Sequence, residues 1–417
     1  MHADLLPVAV GGDLGAYSLV RAFHEAYGCE AVWVTPRVTH AFQHSSLIAA
    51  TVVVPGLEDP EVLMETLERV AAQHPDRTLV LLTNTDWYVR AVVDDAERLS
   101  KRYLLPYCSA EALEQVGNKD KFAQVCERLG IPTPATVPVD IAALRADGGR
   151  DAIVALKVDL DFPVVAKPAS TAQYEYLTMD GKQKVDHLAT RADLDDLLGR
   201  LLDAGYEGTF LVQDIIPGDE THMRSLTVYR DTRGKITMLA SGQVLLEEHA
   251  PGMIGNPAAI LTMPYDDAAD ATRRILDEIG YVGFADVDFK LDPRTGQHVY
   301  FEMNPRIGRN NYFVTATGAS PARAVVADLV EGRSPDPVEP ASQMLFCVVP
   351  FRLLLRYITD PDLKARLRQA KRAGRLAHPL RYAADASLRR RYVVEGVTAS
   401  YWRKYLRYYP RPTADGF

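Results

Sequence analysis

Gly283-Phe284-Ala285-Asp286-Val287-Asp288-Phe289-Lys290, a turn at Pro293-Arg294-Thr295-Gly296, and then Val299-Tyr300-Phe301-Glu302-Met303-Asn304-Pro305-Arg306 decide the fold. Alternating apolar and polar residues on both sides of a turn predict the two strands of a hairpin. Side chains alternate with period two, so Asp286 and Asp288 share one face, as do Glu302 and Asn304. Asp288, Glu302 and Asn304 are therefore expected to gather. Carboxylates facing each other across a hairpin repel unless a cation lies between them. Carboxylate and amide oxygens are hard ligands that suit Mg2+, which takes few protein ligands and completes its shell with substrate phosphates. Arg306 follows directly, and its forked guanidinium suits a phosphate or a phosphoryl group in transfer.

Three upstream stretches fit the same ligand. Asn118-Lys119-Asp120-Lys121-Phe122 opens a helical pattern that Gly130 and Pro132 end, and it places Lys121 near a helix start. Phe162-Pro163-Val164-Val165-Ala166-Lys167-Pro168-Ala169-Ser170 reads as an apolar strand closing on Lys167. An ammonium group there is costly unless an anion meets it. Phe210-Leu211-Val212-Gln213-Asp214-Ile215-Ile216-Pro217-Gly218-Asp219-Glu220 reads as a strand running into a Pro-Gly hinge followed by two acids. Extended backbone there presents a carbonyl and an N–H to the edge of adenine. Gln213 offers a side-chain oxygen to the adenine amino group, and Glu220 offers a carboxylate to ribose.

In this order the four stretches resemble the ATP-grasp superfamily over roughly residues 107 to 335. The resemblance implies two α+β subdomains gripping ATP, preceded by a doubly wound parallel sheet. It implies that Lys121, Lys167 and Ser170 hold the phosphates. Gln213, Asp214 and the Ile216 backbone would hold adenine, and Glu220 the ribose. Asp288, Glu302 and Asn304 would hold one or two Mg2+ ions, with Mn2+ as an alternative. Arg306 and Lys167 would neutralise the phosphoryl group in transit. The implied chemistry is activation of a carboxylate as an acyl phosphate, then attack by an amine. One departure is that Ser170-Thr171-Ala172-Gln173-Tyr174-Glu175-Tyr176 lacks the glycines this superfamily often places over the phosphates. Hydroxyls of Ser170 and Thr171, or backbone N–H groups, would substitute.

The opening Gly11-Gly12-Asp13-Leu14-Gly15-Ala16-Tyr17-Ser18 with Arg21-Ala22-Phe23-His24-Glu25-Ala26-Tyr27-Gly28 looks like the D-aspartate ligase branch. Members of that branch attach an amino acid to the side-chain amine of a peptidoglycan precursor. Small-molecule carboxylate and amine partners follow from the resemblance. A ligase of free amino acids, making a dipeptide or natural product, is the alternative, and a non-catalytic ATP-binding module is a more distant one.

The first segment predicts strands at Pro7–Val10, 30–34, 51–54 and Thr78–Leu82, with helices after the first and third. Strands alternating with helices imply a parallel sheet. Gly11-Gly12-x-x-Gly15 lacks dinucleotide-binding spacing and reads as a tight strand-to-helix turn. Asn84-Thr85-Asp86 closes the fourth strand, where open parallel sheets bind ligands. Domain boundaries are expected near 106/107 and 336/337. A smaller lid would cover about 120–212, a metal-binding subdomain about 213–336, and a basic, aromatic C-terminal appendage 337–417.

Residues 245–260, rich in Gly and Pro, fit either a cover over the acyl phosphate or a plain surface loop. His249 within it is a candidate base for the amine, although a lone loop histidine is more often solvated. Arg309 and Arg224 are candidates for the substrate carboxylates, each weighed against a structural ion pair.

The net charge of −8 argues against nucleic-acid binding by the whole body. Four scattered cysteines, no CxxC pair and no signal-peptide pattern suggest a reduced, cytoplasmic protein. From Phe351 onward there are 16 Lys and Arg against 5 Asp and Glu, a charge of +11 that leaves −19 for the rest. Arginines mixed with tyrosines there suit either an anionic membrane surface or, as the favoured alternative, a helical region packing its aromatics on the body.

Overall fold

The computed structural model describes all residues except 1–3, 171–173, 175–176, 184, 339–341 and 414–417. The chain forms two compact units. The larger holds residues 1–113, 219–288 and 304–417, and the smaller holds 114–218 and 289–303.

The larger unit begins with β1 (Leu5–Val10), β2 (Ala31–Thr35), β3 (Ile48–Val53), β4 (Thr78–Leu82) and β5 (Tyr103–Leu104). They form a sheet in the order β3-β2-β1-β4-β5, with every pairing parallel. β1 and β2 are buried along their whole length, as expected of strands covered on both faces. The direction of winding reverses between β1 and β4, and the loops after these two strands flank that switch point. Asp13 caps the helix Leu14–Tyr27 by accepting the Ala16 N–H at 2.9 Å. Gly11 adopts φ 109°, which a side chain would strain. At Gly15 a Cβ would come within 2.4 Å of Asn84 Nδ2 and 2.9 Å of Arg309 Cα. The glycines thus serve a tight turn and a close approach.

The smaller unit carries β6 (Thr136–Asp140), β7 (Val164–Pro168), β8 (Asp186–Leu188) and β9 (Thr209–Asp214). Their order is β6-β9-β7-β8, with each pairing antiparallel. A core including Val164, Ala166, Leu194, Leu197, Leu198, Phe210 and Val212 lies on one face.

The third sheet comprises β10 (Met223–Arg230), β11 (Ile236–Glu247), β12 (Pro257–Thr262), β13 (Gly283–Leu291), β14 (His298–Asn304), β15 (Leu345–Cys347) and β16 (Leu376–Ala377). Its order is β14-β13-β10-β11-β12-β15-β16. The expected hairpin is therefore present. Much of the expected cover at 245–260 belongs to strands β11 and β12, and only residues 248–256 connect them.

The C-terminal region is more than an appendage. β15 pairs with β12 and β16 pairs with β15, so the region extends the sheet and covers an edge. Tyr357, Tyr401, Tyr405 and Tyr409 are buried. The Tyr401 hydroxyl donates to Glu248 at 3.1 Å, and those of Tyr405 and Tyr357 donate to the carbonyls of Glu247 and Tyr409. Packing of aromatics on the body, the favoured expectation, holds for these four. Among the described residues no helix is long and apolar enough to cross a membrane.

His378 sits beside β16 among buried groups. It accepts from the Leu380 N–H at Nδ1 (3.2 Å) and faces Thr398 Oγ1 with Nε2 (3.3 Å), the pattern of a neutral Nε2–H tautomer. Burial, with the Arg381 and Arg21 charges, pushes it down from 6.5 to about 3. The unfolded chain therefore binds an extra proton between those values. Stability from this group is complete above pH 6.5 and falls as the pH drops toward 3. Substituting His378→Gln should flatten the dependence of unfolding free energy on pH across that window, by up to about 1.4 kcal/mol per pH unit. Urea titrations at several pH values check this; an unchanged slope contradicts it.

Candidate active site

Within the larger unit, Asn304 Nδ2 donates to Asp288 Oδ2 at 3.3 Å, so the expected carboxylate and amide stand side by side. Glu302, in the smaller unit, lies two residues before Asn304 on β14. Oxygen donors alone, with a carboxylate and an amide already adjacent, fit Mg2+. Among the described residues no three His, Cys, Asp or Glu gather as a metal centre by themselves.

Arg306 is held from two sides. Its Nε donates to Asp86 Oδ1 at 2.9 Å and its Nη2 to Asp86 Oδ2 at 3.4 Å, while Nη1 lies 3.7 Å from Asp286 Oδ2. Asp286 is buried and accepts from Thr227 Oγ1 at 2.6 Å and more weakly from Ser225 Oγ at 3.4 Å. The Asn84-Thr85-Asp86 segment at the end of β4 thus meets the arginine that follows the metal hairpin.

In the smaller unit Lys167 is buried on β7, its ammonium 5.2 Å from the centre of the Phe301 ring. The structure separates the two lysines of the Asn118 segment. Lys119 Nζ lies 3.1 Å from Glu302 Oε2 with little exposure, and the Lys119 N–H reaches the Ala169 carbonyl at the end of β7. Lys121 is exposed and lies 3.5 Å from Glu114. Asn118 caps this helix, so Lys119 and Lys121 are its first and third residues. They stand about 200° apart around the axis and cannot face the same way. The cap and the helical period carried this signal in the sequence.

The hinge is braced. Gln213 donates from Nε2 to Thr136 Oγ1 at 2.8 Å, Asp214 accepts from Arg294 Nη2 at 3.1 Å, and Lys290 donates to the Gly218 carbonyl at 2.6 Å. Ile216 is half-buried between them in sequence. Ser170 follows β7, and its carbonyl accepts from the Tyr174 N–H at 3.3 Å. The expected role of Thr171 and most of the glycine-free loop lies outside the described residues.

Over 418 residues the chain is 30% identical to D-aspartate ligase of Enterococcus faecium, spanning 98% of this chain and 97% of that one. The chain belongs to the D-aspartate ligase family. It is an ATP-grasp carboxylate–amine ligase, ATP-dependent, with small carboxylate and amine substrates. The profile of the carbamoyl-phosphate synthase L chain ATP-binding domain matches residues 219–326. The fold is also that of the L-amino acid ligase from Bacillus licheniformis (TM-score 0.55, 17% identity, 81% of this chain and 78% of that one). It is likewise that of the biotin carboxylase domain of the Hydrogenobacter thermophilus 2-oxoglutarate carboxylase, solved with MgADP (TM-score 0.60, 13% identity, 82% and 73%).

Around this ligase's core, the remaining expectations sort by geometry. Arg309 Nη1 lies 2.8 Å from the buried Glu248, and Nε lies 3.7 Å from Asp13, which itself accepts from Asn84 Nδ2 at 3.0 Å. The flanking charge of Glu248 raises the Arg309 pKa against the opposing effect of burial. Arg306 and Arg309 thus each meet an acid at the β1–β4 switch point. Arg224 faces away from Asp286, because alternation on β10 turns Ser225 and Thr227 that way instead. Its Nη1 donates to the Thr221 and Met223 carbonyls at 2.7 and 2.9 Å, and the guanidinium lies 5.2 Å from the Tyr265 ring centre. In this arrangement Arg224 serves the backbone of the hinge's far side. His249 is not solvated. Its ring stacks on Tyr409 with centroids 3.6 Å apart, and Nε2 is 2.5 Å from Glu220 Oε1. Burial, partly opposed by the Glu247 charge, pushes its pKa down to about 4, so a neutral ring donates to the Glu220 carboxylate at neutral pH.

Proposed function

We propose that this ligase activates the carboxylate of an amino acid such as D-aspartate and joins it to the side-chain amine of a peptidoglycan precursor, acting in the cytoplasm where ATP is supplied. The observation carrying this reading is the end-to-end likeness to D-aspartate ligase, which extends through both the N-terminal sheet and the C-terminal region.

In this reading Lys167 and Lys119 bind the phosphates, Lys119 taking the part first expected of Lys121. Ser170 lies at the start of the loop over them. Gln213, Asp214 and the Ile216 backbone hold adenine. Asp288, Glu302 and Asn304 hold one or two Mg2+ or Mn2+ ions, which supply charge neutralisation to the phosphate oxygens. Arg306, pre-aimed by Asp86 and Asp286, stabilises charge on the phosphoryl group as it moves to the substrate carboxylate. The guanidinium needs no reorganisation at that moment, which is where electrostatic catalysis gains most. Arg309 faces the carboxylate that does not react. Amine attack on the acyl phosphate then expels phosphate. Neither the carboxylate nor the amine reacts usefully without this activation.

Glu220 is the proposed ribose acid, and His249 its positioning residue rather than a base. His249→Ala is expected to raise KM for ATP about tenfold, the loss of one charged-group hydrogen bond, with kcat nearly unchanged. A base for the incoming amine would instead show a collapse of kcat at unchanged KM.

The substrate assignment is tested by screening D- and L-amino acids with murein precursors for ADP release, with mass spectrometry of the product. The reading expects turnover with D-aspartate and a precursor carrying a side-chain amine. Equal turnover with two free amino acids and no precursor would favour a dipeptide ligase.

A further inference from the structure

The helix Leu388–Tyr408 has two unlike faces. Arg390, Val394, Thr398, Tyr401 and Tyr405 are buried on the body. At 100° per residue, Leu388, Tyr392, Ala399 and Leu406 fall within about 40° of one another on the opposite side. Leu388 is 83% exposed, Tyr392 84% and Leu406 54%. They are three of the eight exposed large hydrophobics among the described residues. Such concentration on one surface is unusual where scattered exposed apolar residues would be unremarkable.

Cations edge this stripe. Arg389 and Arg407 flank it on one side, Arg391 on the other, and Arg403 stands at its border; all four are exposed. The acid on this face, Glu395, lies 2.9 Å from Arg381 and is thereby offset. The remainder of the chain, from residue 1 to 350, carries about −19 against +11 for this region, so an anionic surface would attract the molecule here and repel it elsewhere.

We propose that the outward face of this helix docks on an anionic lipid bilayer surface. Leu388, Tyr392 and Leu406 enter the headgroup boundary while the arginines, whose stems lie along apolar surface, reach lipid phosphates. The stripe spans about 27 Å along the helix, long enough to lie in the plane of a membrane. A second copy on this face would bring arginines against arginines. Of the tyrosines in this region, Tyr357, Tyr401, Tyr405 and Tyr409 are buried on the body, and Tyr392 is on the outer face. This proposal does not depend on which substrates the ligase takes.

The test is flotation of the full chain with vesicles of phosphatidylcholine alone and of phosphatidylcholine mixed equally with phosphatidylglycerol, at low and high salt. Binding is expected only to the mixed vesicles and only at low salt. A triple variant Arg389→Gln, Arg403→Gln, Arg407→Gln should bind about 100-fold more weakly, at roughly fivefold per cation. A triple variant Leu388→Ser, Tyr392→Ser, Leu406→Ser should lose at least about tenfold. Both variants change exposed side chains, so unchanged ADP release and thermal midpoints report intact folding. Absence of binding, equal binding to neutral vesicles, or variants that bind like the parent would overturn the proposal. So would a dimer in analytical ultracentrifugation that the apolar variant abolishes, since the face would then belong to a second copy.

Discussion

Arg306→Ala is expected to lower turnover by at least about 10²-fold, the scale for removing one pre-aimed electrostatic donor from a transition state. The geometry explains why the effect should fall mainly on kcat. Asp86 and Asp286 orient the guanidinium, so its charge is already in place before the phosphoryl group moves. Loss of an interaction made chiefly in the transition state lowers kcat and kcat/KM together. Arg306→Lys should recover little, because an ammonium group is a point charge and cannot bridge two carboxylates with a planar fork. Asp86→Asn keeps the shape of the side chain and removes one anchoring charge. A smaller fall in kcat, about tenfold, is expected from it. Coupled measurement of ADP release at saturating ATP checks all three. Full activity in Arg306→Ala would remove the residue from the chemistry.

Arg390→Ala is expected to cost about 3–5 kcal/mol of stability, the range for removing one partner of a buried ion pair. Arg390 has no exposed surface. Its Nε lies 3.2 Å from Asp385 Oδ2, and its two amino groups donate to the carbonyls of His40, Ala41 and Gln43. Asp385 in turn accepts from Tyr17 OH at 2.6 Å, Ser45 Oγ at 2.8 Å and the Ser46 N–H at 2.7 Å. Removing the guanidinium takes the counter-charge from the buried carboxylate and the donors from three carbonyls at once. The same network secures the loop after β2 to the last helix, which neither segment could satisfy alone. Chemical denaturation of Arg390→Ala against the parent measures the cost. A change below about 1 kcal/mol, the level of a surface pair, would contradict the burial argument.

The hairpin was legible because strand alternation and turn chemistry are local. Asp288 and Asn304 could be paired from period two alone, and Glu302 assigned to the face of Asn304. The four N-terminal strands came within about three residues of their observed ends, since buried parallel strands are short apolar runs between helices. Lys121 was singled out from the sequence, whereas the structure places Lys119 beside Glu302 and leaves Lys121 exposed; the cap at Asn118 sets which of them turns inward. Asp86 was flagged by its place at a strand end, but its partner Arg306 lies 220 positions away, beyond any periodicity. β15 and β16 are three and two residues long, too brief to leave a pattern, so the sheet extension hid behind the charge of the tail. His249 looked like a solvated loop histidine. Only the fold could bring Tyr409 and Glu220 against it.

Oxygen transfer examines the claim that this chain makes an acyl phosphate. The carboxylate donor is labelled with oxygen-18, and the phosphate and nucleotide released during amide formation are weighed by mass spectrometry. One labelled oxygen in each inorganic phosphate, with ADP unlabelled, is the predicted result. Unlabelled phosphate, or label recovered in AMP, would contradict it.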